Sequence, residues 1–229
     1  MARGVHSEFN MCFAVLAGLF LAGTAGLMAR HDVPPPLVTV TILVQAEQPL
    51  HPPVYEAMRM EVDQIYEGTA VSTEWRNYRT GETTPVMTRA VVVRMRGDCT
   101  ANGLYGMENL KTHSPLGFTH SVDGHLLPFV EVLCDKVRAL AMYRRANEPR
   151  EPAWMFGRAL GRVLAHEMFH VLAETSSHAE EGLLRAHLSG SELTCPYLGL
   201  DRKSVKKLSV AISRRHLPPV SQPTERAGF

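Results

Sequence analysis

Residues 153–174 carry a long helical pattern opened by Pro152, and a helix of that length sets the scale of whatever packs around it. Gly157 and Gly161 stand four residues apart, so they share a face. They let the helix backbone come close to a neighbouring sheet, at a cost of about 1 kcal/mol each relative to alanine. Arg158 and Arg162 share another face, which reads as solvated. Further on, the apolar run Val163-Leu164-Ala165 leads directly into two histidines and a glutamate.

The rest of the chain supplies a sheet for such a helix to cover. Residues 37–45 (LVTVTILVQ) are β-branched and apolar, the pattern of a buried strand. Pro52 and Pro53 open a helical stretch with Tyr55, Met58, Val62 and Ile65 at helical spacing, and Gly68 ends it. Residues 71–78 and 89–95 (RAVVVRM) are two more strands. Residues 116–122 and 126–134 flank Asp123-Gly124, a strong signal for a two-residue hairpin because glycine takes positive φ without strain. Pro128 sits near the start of the returning strand, where a missing N–H is tolerated. A polar link at 144–151 precedes the long helix, and a last helix is expected over 201–214 with Val205, Leu208 and Ile212 as its apolar side. This order of elements makes an α+β domain.

The 229 residues are 45% apolar and 21% charged, enough to bury a core without help from metal or disulfide. Net charge is +1, which argues against nucleic acid or an anionic membrane as the main partner. Proteins, peptides and small molecules remain. Residues 11–29 are free of charge, apolar to Ala22, then small, which is the layout of a signal peptide over 1–29 cleaved after Ala25 or Ala29. An uncleaved membrane anchor is the competing reading. The signal peptide implies export to an oxidising compartment, as a secreted or periplasmic protein, and a membrane enters only if the segment stays uncleaved. A Pro-rich lead-in at 30–36, a domain over 37–216 and a tail at 217–229 complete the division. Beyond Cys12, the cysteines Cys99, Cys134 and Cys195 permit one disulfide and one free thiol, and spacing does not choose the pair.

His166-Glu167-Met168-Phe169-His170 is the segment that carries chemistry. The histidines are one turn apart and can grip one ion, and Glu167 is placed to touch a metal-bound water rather than to ligate. Zn2+ is the metal this set suits. Catalytic zinc has three protein ligands, so a third is required. Glu174 would lie ~6 Å further along the axis, out of reach, and reads as a solvated last-turn residue. His178 fits better. Thr175, Ser176 and Ser177 can end the helix by bonding its free carbonyls, and the chain can then curl back. His187, Glu180, Glu181 and Glu192 stay open as alternatives.

HEMFHVLAETSSH followed by AEEGLLRA resembles the zinc site of the metzincin-type metallopeptidases, in particular small secreted bacterial members. The resemblance spans roughly residues 37–185, and its specific part is the zinc segment. It implies a zincin fold: a mixed twisted sheet, an N-terminal backing helix, a long active-site helix and a small helical C-terminal part. It implies His166, His170 and His178 as ligands, Glu167 as catalytic base, and Gly182-Leu183-Leu184 in the place of the clan's Met turn. Leu116, Gly117, Phe118 and Thr119 resemble the edge strand that pairs with substrate backbone. Three departures stand out: Ala173 replaces the usual glycine, the third histidine comes two residues late, and Leu184 replaces methionine. The expected activity is zinc-dependent hydrolysis of a protein or peptide. The alternative is an exported zinc-containing binding protein without catalysis. Tyr197 is conceivable as an oxyanion donor, although a surface or packed tyrosine is the plainer reading.

Overall fold

The computed structural model describes residues 37–77, 89–101, 114–142 and 152–214. The expected signal segment, the lead-in at 30–36 and the tail at 217–229 lie outside them. The expected first strand is β1 (Val38–Ala46), and it runs into α1 (Pro52–Tyr66) and back through β2 (Val71–Asn77). β3 (Ala90–Arg96) follows, then the hairpin of β4 (Gly117–Val122) and β5 (His125–Leu133). Its turn is the expected one, with Asp123 at φ 50° and Gly124 at φ 78°.

The sheet has the order β2-β1-β3-β5-β4. Its first three pairings are parallel, and β4 joins antiparallel at one edge. Alternation along the strands builds the core. Ile42 pairs with Val91, Val44 with Val93, Val93 with Val130 and Met95 with Val132, and all of these side chains are buried. They join one apolar cluster with Val54, Met58 and Val62 of α1 and with Phe156, Leu160 and Leu164 of the long helix α3 (Pro152–Leu172). The chain is thus a mixed α+β domain with a mostly parallel five-stranded sheet.

The two glycines of α3 do allow a close approach, but to a helix and not to the sheet. A Cβ at Gly157 would lie 2.4 Å from the Val54 carbonyl oxygen, and one at Gly161 would lie 2.7 Å from that of Met58. α1 therefore packs directly on the α3 backbone. The reading of Arg162 as solvated is also overturned. Its side chain is fully buried; Nε donates to Glu61 Oε1 at 2.6 Å and Nη1 to the Glu192 carbonyl at 2.6 Å. Arg158 Nε lies 3.2 Å from the other Glu61 oxygen. A buried carboxylate on α1, 101 residues away in sequence, draws the arginine inward.

Two helices escaped the sequence reading. α2 (Cys134–Ala141) begins directly where β5 ends, and the short α4 (Gly190–Thr194) precedes α5 (Arg202–Arg214). α4 has a capping box, in which Ser189 accepts from the Glu192 amide while Glu192 accepts from the Ser189 amide. Ser189 and Glu192 stand at the S-x-x-E spacing that signals this start. The disulfide joins Cys99 to Cys134, tying the end of β3 to α2, and Cys195 is free and buried. No helix among the described residues is long and apolar enough to cross a membrane.

Candidate metal centre

The second half of α3 is buried on every side, and His166, Glu167 and His170 are buried with it. Tyr66, at the end of α1, donates its buried hydroxyl to the Ala165 carbonyl at 3.0 Å, fixing the helix one residue before the first histidine. α3 then stops at a residue the sequence did not mark. Glu174 adopts φ 48°, so the chain reverses there, and the Thr175 amide donates back to the His170 carbonyl at 3.1 Å. The helix is closed by this backbone bond rather than by the Thr175 or Ser177 side chain. Those hydroxyls bond within the loop and to Lys207 instead.

The reversal brings His178 back over the helix. His166, His170 and His178 each offer a ring nitrogen, all within 4.8 Å of one another. The ring centroids form a near-equilateral triangle of 4.9, 5.2 and 4.9 Å. The tautomers follow from the backbone. His166 Nδ1 is 2.9 Å from the Leu183 carbonyl and His170 Nδ1 is 2.6 Å from that of Thr175. A carbonyl only accepts, so both Nδ1 atoms carry a hydrogen, and in the neutral rings both Nε2 atoms present lone pairs. Yet the two Nε2 atoms lie 3.1 Å apart. Two lone pairs at that distance repel unless a cation lies between them. Two nitrogens at ~2.0–2.1 Å from a tetrahedral ion stand about 3.3 Å apart, close to the separation seen. The donor set therefore fits a metal ion.

Burial reinforces this. It drives the pKa of His166 down from 6.5 to about 4 against the help of the Leu183 carbonyl, with the charges of His170 and His178 acting in the same downward direction. His170 is lowered first by burial, then by the charges of His178 and Lys207, and His178 by burial and then by His187. The histidines are accordingly held neutral, the form that ligates. Glu167 moves the other way. Burial raises it from 4.5 to about 7, opposed by the Thr119 hydroxyl, which lies 3.0 Å from both its Oε2 and its backbone carbonyl.

A cleft of about 360 Å³ opens over these groups. Its walls include all three histidines, Glu167, and Leu116, Gly117, Phe118 and Thr119 of the β4 side. Every sequence-predicted site residue thus lines one space. Gly117 makes the close approach possible, since a Cβ there would lie 2.8 Å from the Glu131 carbonyl and 3.2 Å from Glu167 Cγ. β4 ends the sheet and has no strand on its outer side among the described residues. The segment expected in place of a Met turn, Gly182–Leu184, is a single 3-10 turn with Leu183 and Leu184 buried, and it supplies the carbonyl that orients His166.

The other candidates for a third ligand stand apart from the three-histidine group. Glu174 is exposed at the reversal, and Glu192 is engaged by Ser189 and Arg185. Glu180 and Glu181 line a different cavity with Asp201 and Lys203, and His187 lies in the cleft but outside the three-nitrogen group. Tyr197 is 82% exposed and lines a depression beside Gln64 and Ile65, away from the histidines. Sequence reasoning missed two supports, the Thr119 hydroxyl on Glu167 and the Lys207 ammonium on the loop before His178. Neither has a local signal. The sequence matches no family model and no curated protein.

Proposed function

We propose that this chain is a zinc-dependent metallopeptidase of the metzincin-like kind, acting on an exported protein or peptide. The observation that carries the reading is the pair of Nε2 atoms 3.1 Å apart, with His178 completing three donors and the carboxylate of Glu167 beside them in an open cleft. The fold supports it. A mixed sheet whose antiparallel edge strand lies along a long helix with the HExxH residues resembles the zincin arrangement. The Cys99–Cys134 disulfide supports export, because such bonds persist in oxidising compartments.

Zinc bound by His166, His170 and His178 would supply Lewis acidity towards a carbonyl and an acidified water. Glu167 is the base of the reaction. Its carboxylate would accept a proton from the attacking water and pass it to the leaving amine. Thr119 holds the carboxylate in place. The outer edge of β4, which has no strand beside it among the described residues, receives an extended substrate through backbone hydrogen bonds, with residues 116–119 along the cleft.

Glu167→Gln tests the mechanism. Incubated with unstructured polypeptides, the zinc-loaded protein is expected to cleave them. The variant is expected to lose roughly 10²–10⁴-fold in rate while keeping its zinc by elemental analysis. Undiminished cleavage by the variant would overturn the role of Glu167. Zinc binding without cleavage by either protein would favour a zinc-containing binding protein instead.

A further inference from the structure

Thr175 contacts the centre and its surroundings through every polar atom it has. Its amide donates to the His170 carbonyl, and its own carbonyl accepts from His170 Nδ1 at 2.6 Å. Its hydroxyl oxygen accepts from the Ser177 amide at 3.2 Å and from Lys207 Nζ at 2.7 Å, and lies 2.8 Å from Ser177 Oγ. Lys207 Nζ also donates to Ser177 Oγ at 2.7 Å. An ammonium has donors only, so both hydroxyl oxygens must accept from it. Both lone pairs of Thr175 Oγ1 are then occupied, and its own hydrogen is directed to Ser177 Oγ. One ammonium closes this ring and leaves the hydroxyls a single arrangement.

The ring lies in the segment between the second and third histidines, outside any helix or strand. Lys207 projects from α5, which is held to the core by Leu208 and Ile212, both fully buried. A helix packed on the core thus reaches across to the loop that leads to His178. Lys206, next to it, is also exposed and carries the same charge, but it makes none of these bonds.

We propose that Lys207 is a positioning residue for the three-histidine centre: its ammonium clamps Thr175 and Ser177, so that the loop presents His178 and the Thr175 carbonyl holds the His170 ring. This rests on the reading of that centre as a metal site. Residues that orient metal ligands from outside typically contribute 10–100-fold to affinity.

The test is a zinc competition titration against a chromogenic chelator, with Lys207→Met, Lys207→Arg and Lys206→Met beside the unaltered protein. Lys207→Met keeps length and removes every donor; a loss of about 10–100-fold in zinc affinity is expected. Lys207→Arg restores two donors and should recover most of it, and Lys206→Met should match wild type. In the metal-free protein, hydrogen exchange at the Ser177 amide should quicken in Lys207→Met alone. If wild type binds zinc and Lys207→Met equals it, the clamp is refuted while the metal centre stands. An equal loss in both methionine variants would reduce the effect to general charge and also refute it. If wild type takes up no zinc, the centre and the clamp fall together.

Discussion

Helix α3 carries two buried polar sets one turn apart, and they differ in kind. Around Arg162 the groups are of opposite kind. Nε meets the Glu61 carboxylate and Nη1 the Glu192 carbonyl, while Nη2 is buried without a partner among the described residues, and the side chain is sealed from solvent. Around His166 and His170 the groups are alike. Acceptor faces acceptor at 3.1 Å, both rings are fixed by carbonyls behind them, and the set opens onto a cleft. Burial of a polar residue therefore does not mark a functional site. What marks it is a set of lone pairs that converge on one point with no donor of their own, a cost that only a ligand offsets.

The largest expected effect tests the closed set. Arg162→Met leaves Glu61 buried with Arg158 as its remaining cation, and breaking such a pair costs about 3–5 kcal/mol. Denaturant unfolding should show that loss, with zinc binding retained by the fraction still folded. A loss below about 1 kcal/mol, the scale of a surface pair, would return Arg162 to the solvated face that sequence alone suggests.

The next effect tests the open set through pH. Burial raises the pKa of Glu167 from 4.5 to about 7, so the folded chain keeps a proton that the unfolded chain has released. The stability this gives is complete below pH 4.5 and is lost as pH rises through about 7. In metal-free protein, Glu167→Gln removes the ionisation. The variant should match wild type at low pH and exceed it by about 3 kcal/mol above pH 7. His166 works in the opposite direction, its pKa depressed to about 4, and removes stability as pH falls from 6.5. It is present in both proteins and cancels in the difference. A constant gap across pH 4–8 would show that Glu167 is hydrated and not held in a dry site.

The contrast between the two sets also explains what could be read in advance. β1, β3, the Asp123-Gly124 hairpin, α1, α3 and α5 rest on local periodicity and turn chemistry, so they stood out in the sequence. So did His166, Glu167 and His170, because a one-turn spacing on a helix fixes their relation without any tertiary knowledge. His178 required only a short loop. The partners that decide the rest are distant. Glu61 lies 101 residues from Arg162, and Thr119 lies 48 residues from Glu167. The parallel strand order is likewise a matter of long-range pairing. α4 is the exception, since its Ser189–Glu192 capping box was there to be read.

The smallest effect concerns the turn between the second and third histidines, where sequence and structure place the special residue at different positions. The resemblance drew attention to Ala173 as the missing glycine. The left-handed backbone is at Glu174 instead, with φ 48°, and the Ala173 amide still makes a helical bond to the Phe169 carbonyl at 2.8 Å. A side chain in that conformation is strained by roughly 1 kcal/mol, whereas glycine there is not. Glu174→Gly should therefore raise stability by about 0.5–1 kcal/mol, and Ala173→Gly should lower it by a similar amount because it weakens the helix end. Two glycines one residue apart are thus expected to act with opposite sign, and thermal melts of the two variants read it directly. If both destabilise, the chain does not reverse at Glu174, and the path by which His178 reaches the other two histidines has to be redrawn.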